Sequence, residues 1–314
     1  MLRILIADGM EEVAVKKLKD MNFDVVEKHY EKEELINQVK NFDVLVVRSA
    51  TKVTRDIIDA AAETNKLKLI IRGGVGLDNI DVEYAKVRGI SVRNTPNASS
   101  TSVAELVLGH IFSMARYLHN ANITMRKGQW NKKIYKGIEI EGKTLGIIGF
   151  GRIGRETARK AKALGMNIVF YDIVGPKMEF REYKYCNLDQ LLAISDFVSI
   201  HVPYDKGERA IIGKEEIKKM KDGAYLINCA RGGVVDEDAL LEALDSGKLA
   251  GAAVDVFVKE PAGNNPLCDH DKVSLTPHIG ASTKEAQRRI GEEIVDIILN
   301  FFEGSELNSY VESI

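Results

Sequence analysis

Leu145-Gly146-Ile147-Ile148-Gly149-Phe150-Gly151-Arg152-Ile153-Gly154-Arg155-Glu156-Thr157-Ala158 decides the reading of this chain. Its apolar start predicts a buried strand over 145–150, and the charged, alanine-bearing run at 152–164 predicts a helix. A GxGxxG spacing is weak alone in a chain with 26 glycines. Here a strand runs straight in and a helix straight out, so the unpaired amides and positive end of that helix face whatever binds at the turn. Gly149 permits the tight turn, Gly151 admits a pyrophosphate to the backbone, and Gly154 lets helix and strand pack closely. The next predicted strand, 167–172, ends on Asp172, where a carboxylate can accept from two ribose hydroxyls and repel a 2′-phosphate. The dinucleotide expected at this turn is therefore NAD rather than NADP.

Outward from the turn, the strand-helix rhythm continues in both directions. Further strands are expected at 197–202, 224–229, 251–256 and 273–276, with a helix at 237–244. In the first hundred residues, apolar runs at 4–7, 44–47 and 67–71 read as strands, with charged helical stretches at 11–19, 31–40 and 54–63 among them. Residues 99–119 read as one long helix, 120–143 as an irregular basic arm bearing Trp130, and 282–302 as a last helix with a Ser-Thr cap. This alternation is the mark of α/β architecture, parallel sheets covered on both faces.

Composition bounds the function. The 314 residues carry 44 Lys plus Arg against 46 Asp plus Glu, a net charge of −2 with the signs interspersed, which argues against a nucleic-acid partner. The length suits about two domains of roughly 150 residues. No apolar run approaches the ~18 residues of a membrane span, and MLRILIADGM breaks at Asp8 before a signal core is complete, so no membrane partner and a cytoplasmic location are expected. Cys186, Cys229 and Cys268 are odd in number and far apart, suiting neither a disulfide framework nor a paired zinc site.

A nicotinamide enzyme acting on an alcohol needs a group to take the hydroxyl proton and a cation to hold the substrate's charge. Candidates sit just past predicted strands: Arg231, Glu260 and His278. Ligands of open α/β sheets bind beyond the carboxyl ends of the strands, so the three could converge on one crevice. Glu260 beside His278 would favour the imidazolium and orient the ring. His201, at the end of a cofactor-sheet strand, is the rival without an obvious acid partner, whereas His29, His110 and His119 read as solvated or core-satisfied. Cys268-Asp269-His270-Asp271 looks like a metal cluster, but consecutive residues seldom all turn toward one ion, and no metal is expected. A second glycine cluster, Gly73-Gly74-Val75-Gly76, is a poor dinucleotide turn. It reads either as bare amides for an anionic substrate group or as a plain turn.

The chain resembles the D-isomer-specific 2-hydroxyacid dehydrogenases. The matching stretches, in order, are Val47 to Thr54, Arg72 to Asp81, Asn94-Thr95-Pro96, Val103 to Leu106, Gly142 to Gly146, the turn itself, Asn228 to Gly233 and Thr276 to Ala281. The Arg48-Ser49-Ala50-Thr51-Lys52-Val53 run points to the branch that oxidises D-3-phosphoglycerate with NAD, the entry to serine synthesis. The same scaffold would also serve a hydroxypyruvate or glyoxylate reductase, or a nicotinamide-sensing corepressor-like protein.

The resemblance implies a doubly wound Rossmann cofactor domain, 97–284, inserted into a flavodoxin-like substrate domain made of 1–96 and 285–314, and a homodimer formed through the cofactor domain. It makes His278 the acid/base, Glu260 its partner and Arg231 the ligand of the substrate's carboxylate and carbonyl oxygen. Cofactor contacts are implied for Gly149, Gly151, Arg152, Ile153, Gly154, Asp172, His201, Val202, Pro203, Cys229, Ala230, Arg231, Asp255, His278, Gly280 and Ala281. For the substrate, beyond Arg231 and His278, it implies the Gly73, Gly74 and Val75 amides at the carboxylate, and Arg48 with Lys52 and the arm around Lys132 and Lys133 at the phosphate. Ser99, Val75 and Asp205 depart from residues frequent in the family. The chain stops soon after its last helix, so a C-terminal serine-sensing domain is not expected.

Overall fold

The computed structural model describes residues 1–204 and 207–303. Asp205 and the 304–314 end of the expected substrate domain lie outside the described residues. The chain divides into two compact units, Met1–Ser99 with Ala281–Ile314, and Ser100–Gly280. The family resemblance places these junctions at 96/97 and 284/285.

The first unit has strands β1 (Arg3–Ile6), β2 (Asp24–Glu27), β3 (Val44–Val47), β4 (Leu69–Arg72) and β5 (Ser91–Asn94) with helices α1 (Glu12–Asp20), α2 (Lys32–Gln38), α3 (Arg55–Glu63) and α4 (Val82–Val87). All pairings are parallel, in the order β2-β1-β3-β4-β5, the flavodoxin-like order. Alternate residues of the central strands serve opposite faces. Leu5, Leu45 and Ile70 pack with Ile57 and Ile58 of α3, while Ile4, Val44, Val46 and Leu69 pack with α1.

The second unit opens with α5 (Ser100–Ala115) and α6 (Leu118–Arg126). It continues through β6 (Thr144–Ile148), α7 (Arg152–Ala163), β7 (Asn167–Tyr171), β8 (Lys184–Tyr185), α8 (Leu188–Ile194), β9 (Phe197–Ile200), α9 (Lys214–Lys219), β10 (Ala224–Asn228), α10 (Glu237–Asp245), β11 (Leu249–Val254) and β12 (Val273–Leu275). Its seven strands run parallel in the order β12-β11-β10-β9-β6-β7-β8, a Rossmann sheet extended by one strand beyond β11. Leu145 and Ile147 face Val107, Ile111, Ala158 and Ala161 on one side, and Ile148 faces Leu191, Ile217 and Leu240 on the other. The chain then returns to the first unit as α11 (Lys284–Glu303), whose Ile290, Ile294, Val295 and Ile298 complete the core on the α1 side. The Thr283 hydroxyl caps it, accepting from the Ala286 amide at 3.1 Å.

Two expectations need correction. The helix expected over 99–119 is two helices, because Tyr117 adopts a left-handed conformation with φ 53°. The cause is distant in sequence: the Ile138 amide takes the Ala115 carbonyl at 2.9 Å and ends α5 there. The arm expected over 120–143 accordingly begins as α6 and turns irregular after Arg126. In addition, β2, β5 and β8 are strands that the apolar runs did not announce. Among the described residues no helix is long and apolar enough to cross a membrane.

Candidate active site

Strands β6, β7, β9, β10, β11 and β12 run parallel, so the residues just past their carboxyl ends share one edge of the sheet. Gly149 turns the chain with φ +88°, and a Cβ there would lie 2.5 Å from the His201 carbonyl oxygen and 2.6 Å from Val202. A Cβ on Gly154 would lie 2.1 Å from the Gly149 carbonyl oxygen, so helix and strand close tightly on each other. Gly151 is different. It stands at the N-terminus of α7, no side chain caps that helix, and a Cβ on it would meet nothing within 4 Å.

The amides at Arg152 and Ile153 therefore open onto free space beside the positive helix end, an arrangement that fits a pyrophosphate. Asp172 closes the turn from β7. One carboxylate oxygen accepts from the Phe150 amide at 2.7 Å and the other from the Val174 amide at 3.1 Å, fixing the acid where a ribose would lie. Phe150 itself points inward and stacks on Phe170 at 4.0 Å. These residues fit NAD.

At the other half of the edge, Glu260 accepts from His278 Nδ1 at 2.8 Å through one oxygen and from the Phe257 amide at 3.1 Å through the other. Burial works against its charge, but the hydrogen bond and charge of His278, the Phe257 amide and the Arg231 charge together hold its pKa below the usual carboxylate range. With Nδ1 engaged, Nε2 on the opposite side of the ring is the nitrogen left to meet a substrate. His278 has φ +53°, a left-handed conformation uncommon outside glycine, and its amide donates to the Asp255 carbonyl at 2.8 Å.

Asp255 is 1% exposed, and its carboxylate accepts from the Thr276 hydroxyl and from the Ile279 and Gly280 amides. It builds the turn that carries His278. Arg231 follows β10 on a loop held by Asn228, whose amide nitrogen donates to the Arg231 carbonyl at 2.9 Å. A Cβ on the adjoining Gly232 would lie 1.9 Å from the Phe257 carbonyl oxygen, and this close backbone passage brings Arg231 to the Glu260 loop.

The remaining candidates sort by burial. His201, its Nε2 2.9 Å from the Ser199 hydroxyl, is driven by burial to a pKa of about 3 and stays neutral, unsuited to proton exchange near neutral pH. Burial also raises the Cys229 thiol well above its ordinary range, so it offers no thiolate nucleophile. Cys229 and Ala230 are buried, Val202 is half-buried and Pro203 exposed beyond β9. Ala281 opens the return to the first unit, where its carbonyl accepts from Gln287.

In the first unit, Arg48 and Lys52 flank a loop after β3 that sequence reasoning left without supports. Asp8 holds it from β1, accepting from the Arg48 and Thr51 amides at 2.7 and 3.0 Å and from the Thr51 hydroxyl at 2.6 Å. Asn79 holds it from the other side, donating to the Arg48 and Thr51 carbonyls at 2.7 Å each. A short strand leading directly into an acid, Ala7-Asp8-Gly9, was the available signal for Asp8.

The glycine amides beyond β4 need correction. Gly73 donates to the Val47 carbonyl and Gly74 to the Arg72 carbonyl, so neither is bare, and only Val75 of the three keeps its amide outside such pairings among the described residues. Glycine at position 74 instead answers to φ +152° and to the Arg72 guanidinium, 1.5 Å from where a Cβ would stand.

Residues 108–280 match the profile described as D-isomer specific 2-hydroxyacid dehydrogenase, NAD binding domain. The chain is 48% identical over 308 residues to D-3-phosphoglycerate dehydrogenase of Methanocaldococcus jannaschii, covering 97% of this chain and 58% of that one. It thus spans under two thirds of that relative's length. It is also 48% identical over 300 residues to hydroxypyruvate reductase of Thermotoga maritima, covering 94% of this chain and 97% of the relative. Among solved structures, D-lactate dehydrogenase of Aquifex aeolicus, complexed with NAD and lactic acid, superposes with a TM-score of 0.84 at 33% identity, covering 97% and 96% of the two chains. The chain therefore belongs to the D-isomer specific 2-hydroxyacid dehydrogenases, and carries that family's NAD-binding domain.

Proposed function

We propose that this dehydrogenase oxidises D-3-phosphoglycerate to 3-phosphohydroxypyruvate with NAD, the entry to serine synthesis. The observation that carries the catalytic part is the 2.8 Å contact of Glu260 with His278 Nδ1, which turns Nε2 outward as the base for the substrate's C2 hydroxyl. NAD, when bound, supplies the hydride acceptor. Arg231 binds the substrate carboxylate and polarises the carbonyl oxygen as it forms, and Glu260 steadies the imidazolium after proton uptake. The amide of Val75 is proposed at the carboxylate, and Arg48 and Lys52 at the phosphate, on the loop that Asp8 and Asn79 hold rigid.

A second reading, a hydroxypyruvate reductase, has its own support in the near-complete length match to the Thermotoga maritima enzyme. Steady-state rates with D-3-phosphoglycerate, D-glycerate and D-lactate, each with NAD and NADP, separate the two. Loss of the charge-assisted phosphate contact lowers kcat/KM for D-glycerate by about tenfold to a hundredfold on the first reading, worth ~1.5–3 kcal/mol. Equal rates on D-glycerate and D-3-phosphoglycerate favour the second. On either reading His278→Ala abolishes turnover while NAD binding by fluorescence titration is retained, and an active variant refutes the acid/base role.

The proposed homodimer draws support from apolar side chains left on the surface of the NAD-binding unit: Leu118, Ile123 and Met125 of α6, then Trp130 at 77% and Ile134 at 66% exposure. Sedimentation equilibrium of the whole chain and of Trp130→Ser tests it, the variant shifting toward monomer.

A further inference from the structure

A buried hydrogen-bond chain runs from α5 to the turn that carries His278. His110, 3% exposed in the middle of α5, places Nδ1 2.9 Å from the Ser274 hydroxyl and Nε2 3.1 Å from the Thr276 hydroxyl. Thr276 in turn lies 2.6 Å from Asp255 Oδ1. We propose that His110 is a positioning residue for His278, acting through Thr276 and Asp255 and fixed as the neutral ring with its proton on Nε2. The proposal rests on the reading of His278 as the acid/base.

Proton counting sets the direction of the chain. The carboxylate of Asp255 can only accept, so the single hydroxyl proton of Thr276 goes to it. The Thr276 oxygen must then receive its other hydrogen bond from His110 Nε2–H, and in a neutral ring Nδ1 accepts from Ser274, whose one hydroxyl proton turns to the ring nitrogen at 2.9 Å in preference to Ser113 Oγ at 3.3 Å. The titratable groups facing His110 are Asp255 beyond β11 and His119 on α6. Burial disfavours the charged ring and His119 adds to this, against the opposing pull of Asp255, with a lowered pKa as the result.

The far end of the chain has catalytic consequence because Asp255 gives its carboxylate and its backbone carbonyl to one turn. Oδ1 also takes the Ile279 amide, Oδ2 takes the Gly280 amide, and its backbone carbonyl takes the amide of His278. His278 sits at φ +53°, a conformation that persists only where its surroundings over-determine it. Without the donor at His110, the Thr276 hydroxyl loses its fixed orientation, the carboxylate loses a steady partner, and the imidazole is released relative to Glu260. His110 acts without touching substrate or cofactor, and none of the sequence motifs that carry the family resemblance includes it.

The test uses the full chain and two matched pairs. In His110→Gln the side-chain amide nitrogen stands near the place of Nε2 and can still donate to Thr276, whereas His110→Leu keeps bulk without a donor. Thr276→Ser keeps the hydroxyl and Thr276→Val keeps the shape. We expect His110→Leu and Thr276→Val to lower kcat at least about tenfold, as misplaced catalytic groups do, with KM for NAD within about threefold of the parent. The acidic limb of their kcat/KM profile moves to lower pH, because a ring less firmly held against a carboxylate favours its neutral form.

Gln and Ser variants that retain the parent kcat and limb support the proposal. A folded His110→Leu with parental kcat and limb, or a His110→Gln as impaired as His110→Leu, overturns it. If His110→Leu fails to fold, the Thr276 pair decides by the same criteria. Ring-nitrogen NMR of the ¹⁵N-histidine-labelled parent gives a readout independent of turnover: a proton on Nε2 of His110 is expected, and a proton on Nδ1 overturns the assignment. An active His278→Ala would sink the acid/base reading while leaving that NMR result standing, so the two failures are distinguishable.

Discussion

After β6 the chain turns through Gly149, Gly151 and Gly154, and after β4 it turns through Gly73, Gly74 and Gly76. Both turns leave an interior strand of a parallel sheet, and in sequence the first looks like a cradle of bare amides while the second reads either as one or as a plain turn. The first sends its chain into a twelve-residue helix without a side-chain cap, so amides remain open to a ligand. The second spends two of its amides at once, Gly73 on Val47 and Gly74 on Arg72, leaving that of Val75, and no helix begins until Val82. Glycine is required at both, but in the first turn Gly151 leaves space open beside the helix end, while in the second Gly74 makes room for the neighbouring Arg72. Glycine content alone therefore says little, and the element that the glycines lead into decides whether a turn binds.

Three substitutions can break or sharpen that contrast. Gly149→Ala should be the most damaging: it meets both a positive φ and fixed backbone at 2.5 Å, and is expected to cost about 3 kcal/mol in urea denaturation. A loss under about 1 kcal/mol would show that the turn relaxes freely. Gly74→Ala shares the unfavourable φ, but what it strikes is the end of a flexible arginine, so about 2 kcal/mol is expected with NAD affinity unchanged. A weakened NAD affinity in that variant would erase the distinction between the turns. Gly151→Ala should leave stability within about 0.5 kcal/mol, since its Cβ meets nothing, yet weaken NAD about tenfold, or ~1.4 kcal/mol. Unchanged NAD binding there would remove the pyrophosphate from Gly151.

The parts of the fold legible in the sequence are those where burial writes itself into composition. The interior strands β1, β3, β4, β6, β7, β9, β10 and β11 stand out as apolar runs because both their faces are covered. The strands missed, β2, β5 and β8, all lie at sheet edges, where Asp24-Val25-Val26-Glu27 is half apolar and Ser91-Val92-Arg93-Asn94 has one apolar residue in four; the remaining edge strand, β12, was announced by Val273-Ser274-Leu275. The break at Tyr117 was invisible for another reason: no glycine or proline marks it, and its cause, the Ile138 amide on the Ala115 carbonyl, lies more than twenty residues away.

In the site, the pairing of Glu260 with His278 could be anticipated because both lie just past strands of one parallel sheet. The supports were less legible, with a sequence signal only at Asp8. Asp8, Asn79 and His110 act through contacts that only the folded chain assembles, and His110 reads from sequence as a core-satisfied histidine, the very burial that gives it a defined tautomer.

The insertion of one unit within the other has a consequence for synthesis. The five strands of the first sheet emerge from the ribosome within the first 99 residues, but α11, which supplies Ile290, Ile294, Val295 and Ile298 to one face of that sheet, arrives only after the whole of Ser100–Gly280. At ~5–20 residues per second, that interval lasts roughly ten to thirty-five seconds. The NAD-binding unit, contiguous in sequence, can complete its own core during the wait. The N-terminal sheet must hold a partly uncovered apolar face until the last helix arrives, so the nascent first unit is the stage at which a chaperone would be needed most.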